Sequence, residues 1–171
     1  MIKQRRYDTD LESLLELLAN KDAVIRQKAR QSLVVMGKSA VPSLAGALKN
    51  SMVDHVRWEA AKALGAIGDS RAIPSLVKAL GDSDQDVVWL AAEALSRFKK
   101  TAWPQLLHAL IISEPDSVLL RKGAHHVLQS QKEEGFNDLL AILRTALESS
   151  TGSESTPFAA SDMLKRLKVK S

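Results

Sequence analysis

The feature that most constrains this chain is a segment that returns after 31 residues. Val56-Arg57-Trp58-Glu59-Ala60-Ala61-Lys62-Ala63-Leu64 reappears as Val87-Val88-Trp89-Leu90-Ala91-Ala92-Glu93-Ala94-Leu95. The same frame runs upstream from Ile25 through Ala29 to Leu33, and downstream from Leu120 through Ala124 to Leu128. A degenerate copy runs from Thr156 through Ala160 to Leu164. A second segment alternates with the first: Val41-Pro42-Ser43-Leu44, Ile73-Pro74-Ser75-Leu76 and Trp103-Pro104-Gln105-Leu106, with looser copies from Leu11 and Phe136. A period of this length is the signature of stacked supersecondary units, none of which can bury its apolar face alone.

In every copy the apolar residues fall at i, i+3, i+4 and i+7, one face of an α-helix. Pro42, Pro74 and Pro104 suit a first helical turn, where a fixed φ and a missing N–H cost least. We call the Pro-containing helices A and the Ala-rich helices B. The pattern predicts A helices from about Leu11, Val41, Ile73, Trp103 and Phe136. It predicts B helices from about Ala23, Asp54, Asp86, Val118 and Thr156. Asp22, Asp54 and Asp86 stand where B helices need N-caps, and Gly37 and Gly68 where they stop. Short connections make paired helices antiparallel neighbours. The exception is the polar stretch Ser149 to Ser155, the expected site of first proteolysis. The B-helix residues Ala29, Ala60, Ala91, Ala124 and Ala160 share one position, where a small side chain lets helices approach closely. The expected fold is all-α: a single domain over 1–171, a right-handed solenoid of about five helix pairs. The repeats fall at about 10–37, 40–68, 72–99, 102–131 and 136–168.

Composition removes several function classes. The chain has 171 residues and no cysteine, so disulfides, thiolate nucleophiles and Cys-ligated zinc are excluded. Its 24 basic and 20 acidic residues leave a net charge of +4, far from a polybasic nucleic-acid module. Basic residues gather at the ends: Lys3, Arg5 and Arg6, then Lys165, Arg166, Lys168 and Lys170. No apolar run approaches the ~20 residues of a membrane span. The expectation is a soluble cytoplasmic protein.

Val56-Arg57 through Ala60-Ala61-Lys62-Ala63-Leu64-Gly65-Ala66-Ile67-Gly68-Asp69, continuing to Arg71-Ala72-Ile73-Pro74, resembles the HEAT-repeat superfamily. The likeness is to the short repeats named after phycobilin lyases, and it extends over about residues 10–168. It implies that B helices line a concave surface. The family arginine stands at Arg26, Arg57 and Arg121; Val88 and Pro157 replace it, which puts a continuous Arg–Asp ladder in doubt. The resemblance also implies a scaffold or adaptor, as for most relatives. A few relatives are phycobilin-lyase subunits, DNA glycosylases or metal-dependent hydroxylases.

The candidate site follows from a helical wheel. Val56, Ala60, Ala63 and Ile67 set the core direction, and Trp58 points about opposite. Its column reads Gln27, Trp58, Trp89, Lys122 and Phe158. The next reads Gln31, Lys62, Glu93, His126 and Asp162, beside Glu59 and Leu90. The predicted partner-binding groove comprises Gln27, His55, Trp58, Glu59 and Lys62 on the earlier repeats. Trp89, Leu90, Glu93, Lys122 and His126 continue it. Two roles are open for the tryptophans: anchors for a partner segment, or half-buried packing across neighbouring helices. Trp103, in the A frame, is a core residue. Neighbouring His125 and His126 diverge and make a poor chelate, and no His-Glu dipeptide occurs, so no metal is expected. No acid–base pair or phosphate loop stands out, so no catalytic residue and no cofactor is assigned. The column is mixed in charge, which argues against nucleic acid. The reading is a non-catalytic scaffold whose partner is a protein. The alternative, from the resemblance alone, is a phycobilin-lyase-like or chaperone-like accessory of light-harvesting proteins.

Overall fold

The computed structural model describes residues 11–114, 117–148 and 154–169. Residues 149–153 of the expected cleavage site, Lys3, Arg5 and Arg6, and Lys170 lie outside them. Ten helices occur among the described residues. The first, α1, is helical over 11–17. It is followed by α2 Ala23–Met36, α3 Val41–Asn50, α4 Asp54–Ile67, α5 Ile73–Ala79 and α6 Gln85–Arg97. The rest are α7 Trp103–Ile112, α8 Val118–Gln129, α9 Asn137–Glu148 and α10 Ser155–Val169. No strand occurs among the described residues.

Local chemistry explains the punctuation. Pro42, Pro74 and Pro104 lie in the first turns of α3, α5 and α7. Gly37 and Gly68 end α2 and α4 with φ of 65° and 68°, a region that favours a residue without Cβ. One repeat later the same place holds Lys99, with φ 50°. Asp22 caps α2 by accepting from the Val24 N–H. The other two capping expectations are corrected. Val53 precedes α4, and Asp54 is its first residue. Asp84, rather than Asp86, caps α6, accepting from the N–H groups of Asp86 and Val87.

The stacking forms two layers. α2, α4, α6 and α8 pack in series, and α3, α5 and α7 pack in series beside them, with α3 on α4 and α5 on α6. Ala29, Ala60, Ala91, Ala124 and Ala160 are all buried, as their shared frame predicts. Close approach is visible at Gly65, where an added Cβ would lie 2.7 Å from the Ala94 Cβ. Trp103 is buried in the A layer, edge-on to the Phe136 ring at 5.7 Å.

The regular order ends at α8. α9 packs on α8 and α10, whereas α10 packs on α7 and α9. The fifth pair is thus exchanged between the layers: its first helix follows the B row and its second the A row. α10 buries Ala159, Ala160, Met163 and Leu167. Its end is tied back to the start of α9 by Arg166, which donates to Asp138 at 2.6 and 2.7 Å. Phe158, expected at the end of the tryptophan column, is instead an exposed residue of the exchanged helix. Asp162 leaves its column for the same reason.

Candidate functional site

The B row offers one continuous face. Along α4 and α6 its outward positions are His55, Trp58 and Lys62, then Trp89, Glu93 and Arg97; α8 adds Lys122 and His126, and α2 adds Gln27. Gln27, Lys62, Trp89, Glu93 and Lys122 are exposed, while His55, Trp58, Leu90 and His126 are half-buried. Two of the predicted residues have other duties.

Glu59 is corrected from the face to the interior. Only 7% of it is exposed. Arg30 on α2 holds its carboxylate at 2.8 Å, and Arg26 lies at 3.9 Å. A carboxylate so enclosed is a brace between α2 and α4, because leaving it unpaired would cost several kcal/mol.

Trp58 does not present a free indole. Its Nε1–H donates to Asp84 Oδ1 at 2.9 Å, and Asp84 in turn caps α6. Burial alone would raise the Asp84 carboxyl. The bonds from Trp58 and from the backbone of Val87 and Asp86 outweigh it and hold the group below its usual range. Beside it, Arg57 donates to both oxygens of Asp82 at 2.9 Å, to the Ser51 carbonyl at 2.8 Å and to Asp54 at 2.7 Å. The hydrogen bond to Asp82 raises the Arg57 guanidinium further above its ordinary value. These groups form a polar seam joining the starts of α4 and α6. The seam stops there because Val88 stands in the arginine's place; Arg26 instead donates to the carbonyls of Asn20 and Lys21 at 2.9 and 3.0 Å.

Trp89 differs from Trp58. It is 56% exposed, and its ring meets His126 across the α6–α8 gap, centroids 3.8 Å apart and planes tilted by 31°. The Gln129 side-chain amide donates to His126 Nδ1 at 2.8 Å, which leaves the proton of the neutral ring on Nε2. Burial lowers the His126 pKa, against the opposing pull of Glu93. The stack therefore favours the neutral form of the imidazole. Trp89, His126, Val88, Ala92, Leu119 and Gly123 surround a cavity of about 210 Å³, with Lys122 and Gln85 at its rim. A second cleft, of about 340 Å³, lies between α4 and α6. Its floor is Ala61, Gly65 and Ala94, and Arg30, Lys62 and Arg97 stand around it with Leu90 and Glu93.

The sequence missed the cavity at α8. Gly123 in its wall marks close packing of α8 rather than open space, since a Cβ there would lie 2.9 Å from Leu80 Cδ2. Among the described residues no three His, Asp or Glu side chains converge to hold a metal ion. No helix there is long and apolar enough to cross a membrane.

The family model for HEAT repeats matches residues 11–96 and again 41–128. The chain belongs to the HEAT-repeat family. The match ends at Leu128 in α8, the last helix of the regular stacking in this HEAT-repeat protein. A comparison with curated proteins finds no match.

Proposed function

We propose that this HEAT-repeat protein is a non-catalytic scaffold or adaptor that holds a segment of a partner protein against the B-helix face, centred on α6. HEAT repeats are commonly protein-interaction scaffolds. The observation that carries the reading is Trp89: a large ring, more than half exposed, stacked on the His126 imidazole at the mouth of a small apolar cavity. Tryptophans so placed anchor interfaces, each contributing ≥ 2 kcal/mol where they are hot spots. The ordering cost of the ring is already met by its stack, which favours binding.

The bilin-lyase-like alternative needs a long apolar chamber. The clefts beside α6, about 210 and 340 Å³, are at or below the low end of the ~300–1,000 Å³ that encloses a drug-sized ligand. The larger hollows, about 670 Å³ among α5, α7 and α8 and about 720 Å³ between α1 and α2, are open surface grooves rather than an enclosed chamber.

A photo-reactive amino acid in place of Glu93 tests the proposal against the same residue in place of Gln105 on the A layer. The expected outcome is a discrete covalent adduct with a protein from the native cell at the first site only, lost in Trp89→Ala. Adducts from Gln105 alone would reject the B face as the docking surface.

A further inference from the structure

The two clefts lie on opposite flanks of α6 and differ in chemistry. The one at α6–α8 has apolar walls with Lys122 at the rim; the one at α4–α6 has a small-residue floor under Arg30, Lys62 and Arg97. Together they carry four cationic side chains and one carboxylate, Glu93. Arg30 is already engaged by Glu59, and the Arg97–Glu93 contact is an exposed pair at 3.7 Å, weak enough for Arg97 to be recruited elsewhere. Lys62 and Lys122 are exposed and have no ion-pair partner among the described residues.

Resting on the docking face proposed above, we infer that the occupant is an extended peptide segment that places an apolar side chain in the Trp89–His126 cavity and an Asp or Glu carboxylate in the Lys62–Arg97 cleft. The cavity of about 210 Å³ suits one aliphatic or aromatic side chain. The cleft supplies the positive charge that a carboxylate needs, and its small floor lets a main chain approach closely. Geometry sets the spacing. Adjacent packed helices lie ~8–10 Å apart. Trp89 and Glu93, one in each cleft, are a helical turn apart, ~6 Å along the axis. The two subsites are then ~12 Å apart, which extended chain at ~3.3 Å per residue spans in three or four positions. Glu93 within the cleft interrupts any continuous phosphate track, so a nucleic-acid strand fits the face poorly.

The test is a displayed random-peptide library panned on the full chain at about 0.1 M salt, followed by synthesis of the enriched sequence. The expected motif is an apolar residue with Asp or Glu three or four positions away. Lys62→Glu combined with Arg97→Glu, both at exposed positions, should weaken that peptide about tenfold or more. Raising salt to about 1 M, where the screening length drops from ~10 to ~3 Å, should weaken it similarly. Trp89→Ala should weaken it as well, with each variant still melting cooperatively within a few degrees of the parent chain. Enrichment without an acidic position, no enriched peptide, or a single-stranded oligonucleotide that displaces the peptide more tightly than the peptide binds would each overturn the inference. If Trp89→Ala abolishes binding and the charge reversal does nothing, the docking face stands and its acidic specificity falls. If neither variant matters, both fall.

Discussion

The two tryptophans occupy equivalent places in the repeat, yet their side chains do different work. Trp58 is half-buried and donates to the carboxylate that caps α6, so Trp58→Ala removes packing and leaves Asp84 short of a donor. We expect a loss of about 2–3 kcal/mol, between a lost hydrogen bond and a fully buried truncation. Trp89→Ala should cost about 1 kcal/mol or less, because a ring more than half exposed loses little beyond its stack on His126. Melting curves of the two variants check this; equal shifts would refute the division of labour. Lys99 supplies a second contrast. Its φ of 50° stands where the earlier repeats place Gly37 and Gly68. A left-handed L-residue costs ~1–2 kcal/mol that glycine avoids, offset in part by glycine's greater freedom in the unfolded chain. Lys99→Gly should therefore raise stability by about 1 kcal/mol, or ~2–4 °C in Tm. A lower melting temperature would show that the lysine side chain contributes more than its backbone costs.

At the scale of helices, glycine has opposite signs in neighbouring elements. In α4 an added Cβ at Gly65 would sit 2.7 Å from the Ala94 Cβ and 3.0 Å from its Cα. Neither atom can rotate away, so α4 and α6 would have to separate, and Gly65→Ala should cost about 1–3 kcal/mol. In α3 a Cβ at Gly46 meets nothing within 4 Å. Gly46→Ala should gain up to about 1 kcal/mol from helix propensity alone. Denaturant midpoints moving the same way for both would contradict the packing. This level of detail also marks what the sequence could convey. Periodicity located the helices from α2 to α8, and the alanine frame identified buried positions, because both depend on local spacing. The Trp58–Asp84 bond and the burial of Glu59 under Arg26 and Arg30 join residues of different helices, so a wheel drawn on one helix shows them as outward-facing. The cap at Asp84 was missed for a related reason: three aspartates at 82, 84 and 86 are equivalent as turn formers until the start of α6 is known.

At the scale of the whole molecule, the exchanged fifth pair changes how the end of the stack is held. Helical periodicity says which face of α9 and α10 is apolar, not which neighbour covers it, and so the exchange was not legible in the sequence. In a regular solenoid each unit contacts only adjacent units, and loss of the last helix would expose mainly its own partner. Here α10 lies against α7 as well as α9. It buries Ala160 and Met163 completely, and its Arg166 bridges to Asp138. Truncation after Glu148 would therefore uncover the α7 flank and leave α9 held mainly by α8, with the Phe136–Trp103 contact at its start. Hydrogen exchange on that truncated chain, compared with the full chain, should show protection falling across α7 and α9 while α4 keeps its own. The contrast arises because α4 is enclosed by α2, α3 and α6, none of which touches α10 to any extent. Protection lost in α9 alone would mean that α10 acts as an ordinary end cap. Protection lost uniformly through α4 would mean that the stack folds as one unit, with no separable end.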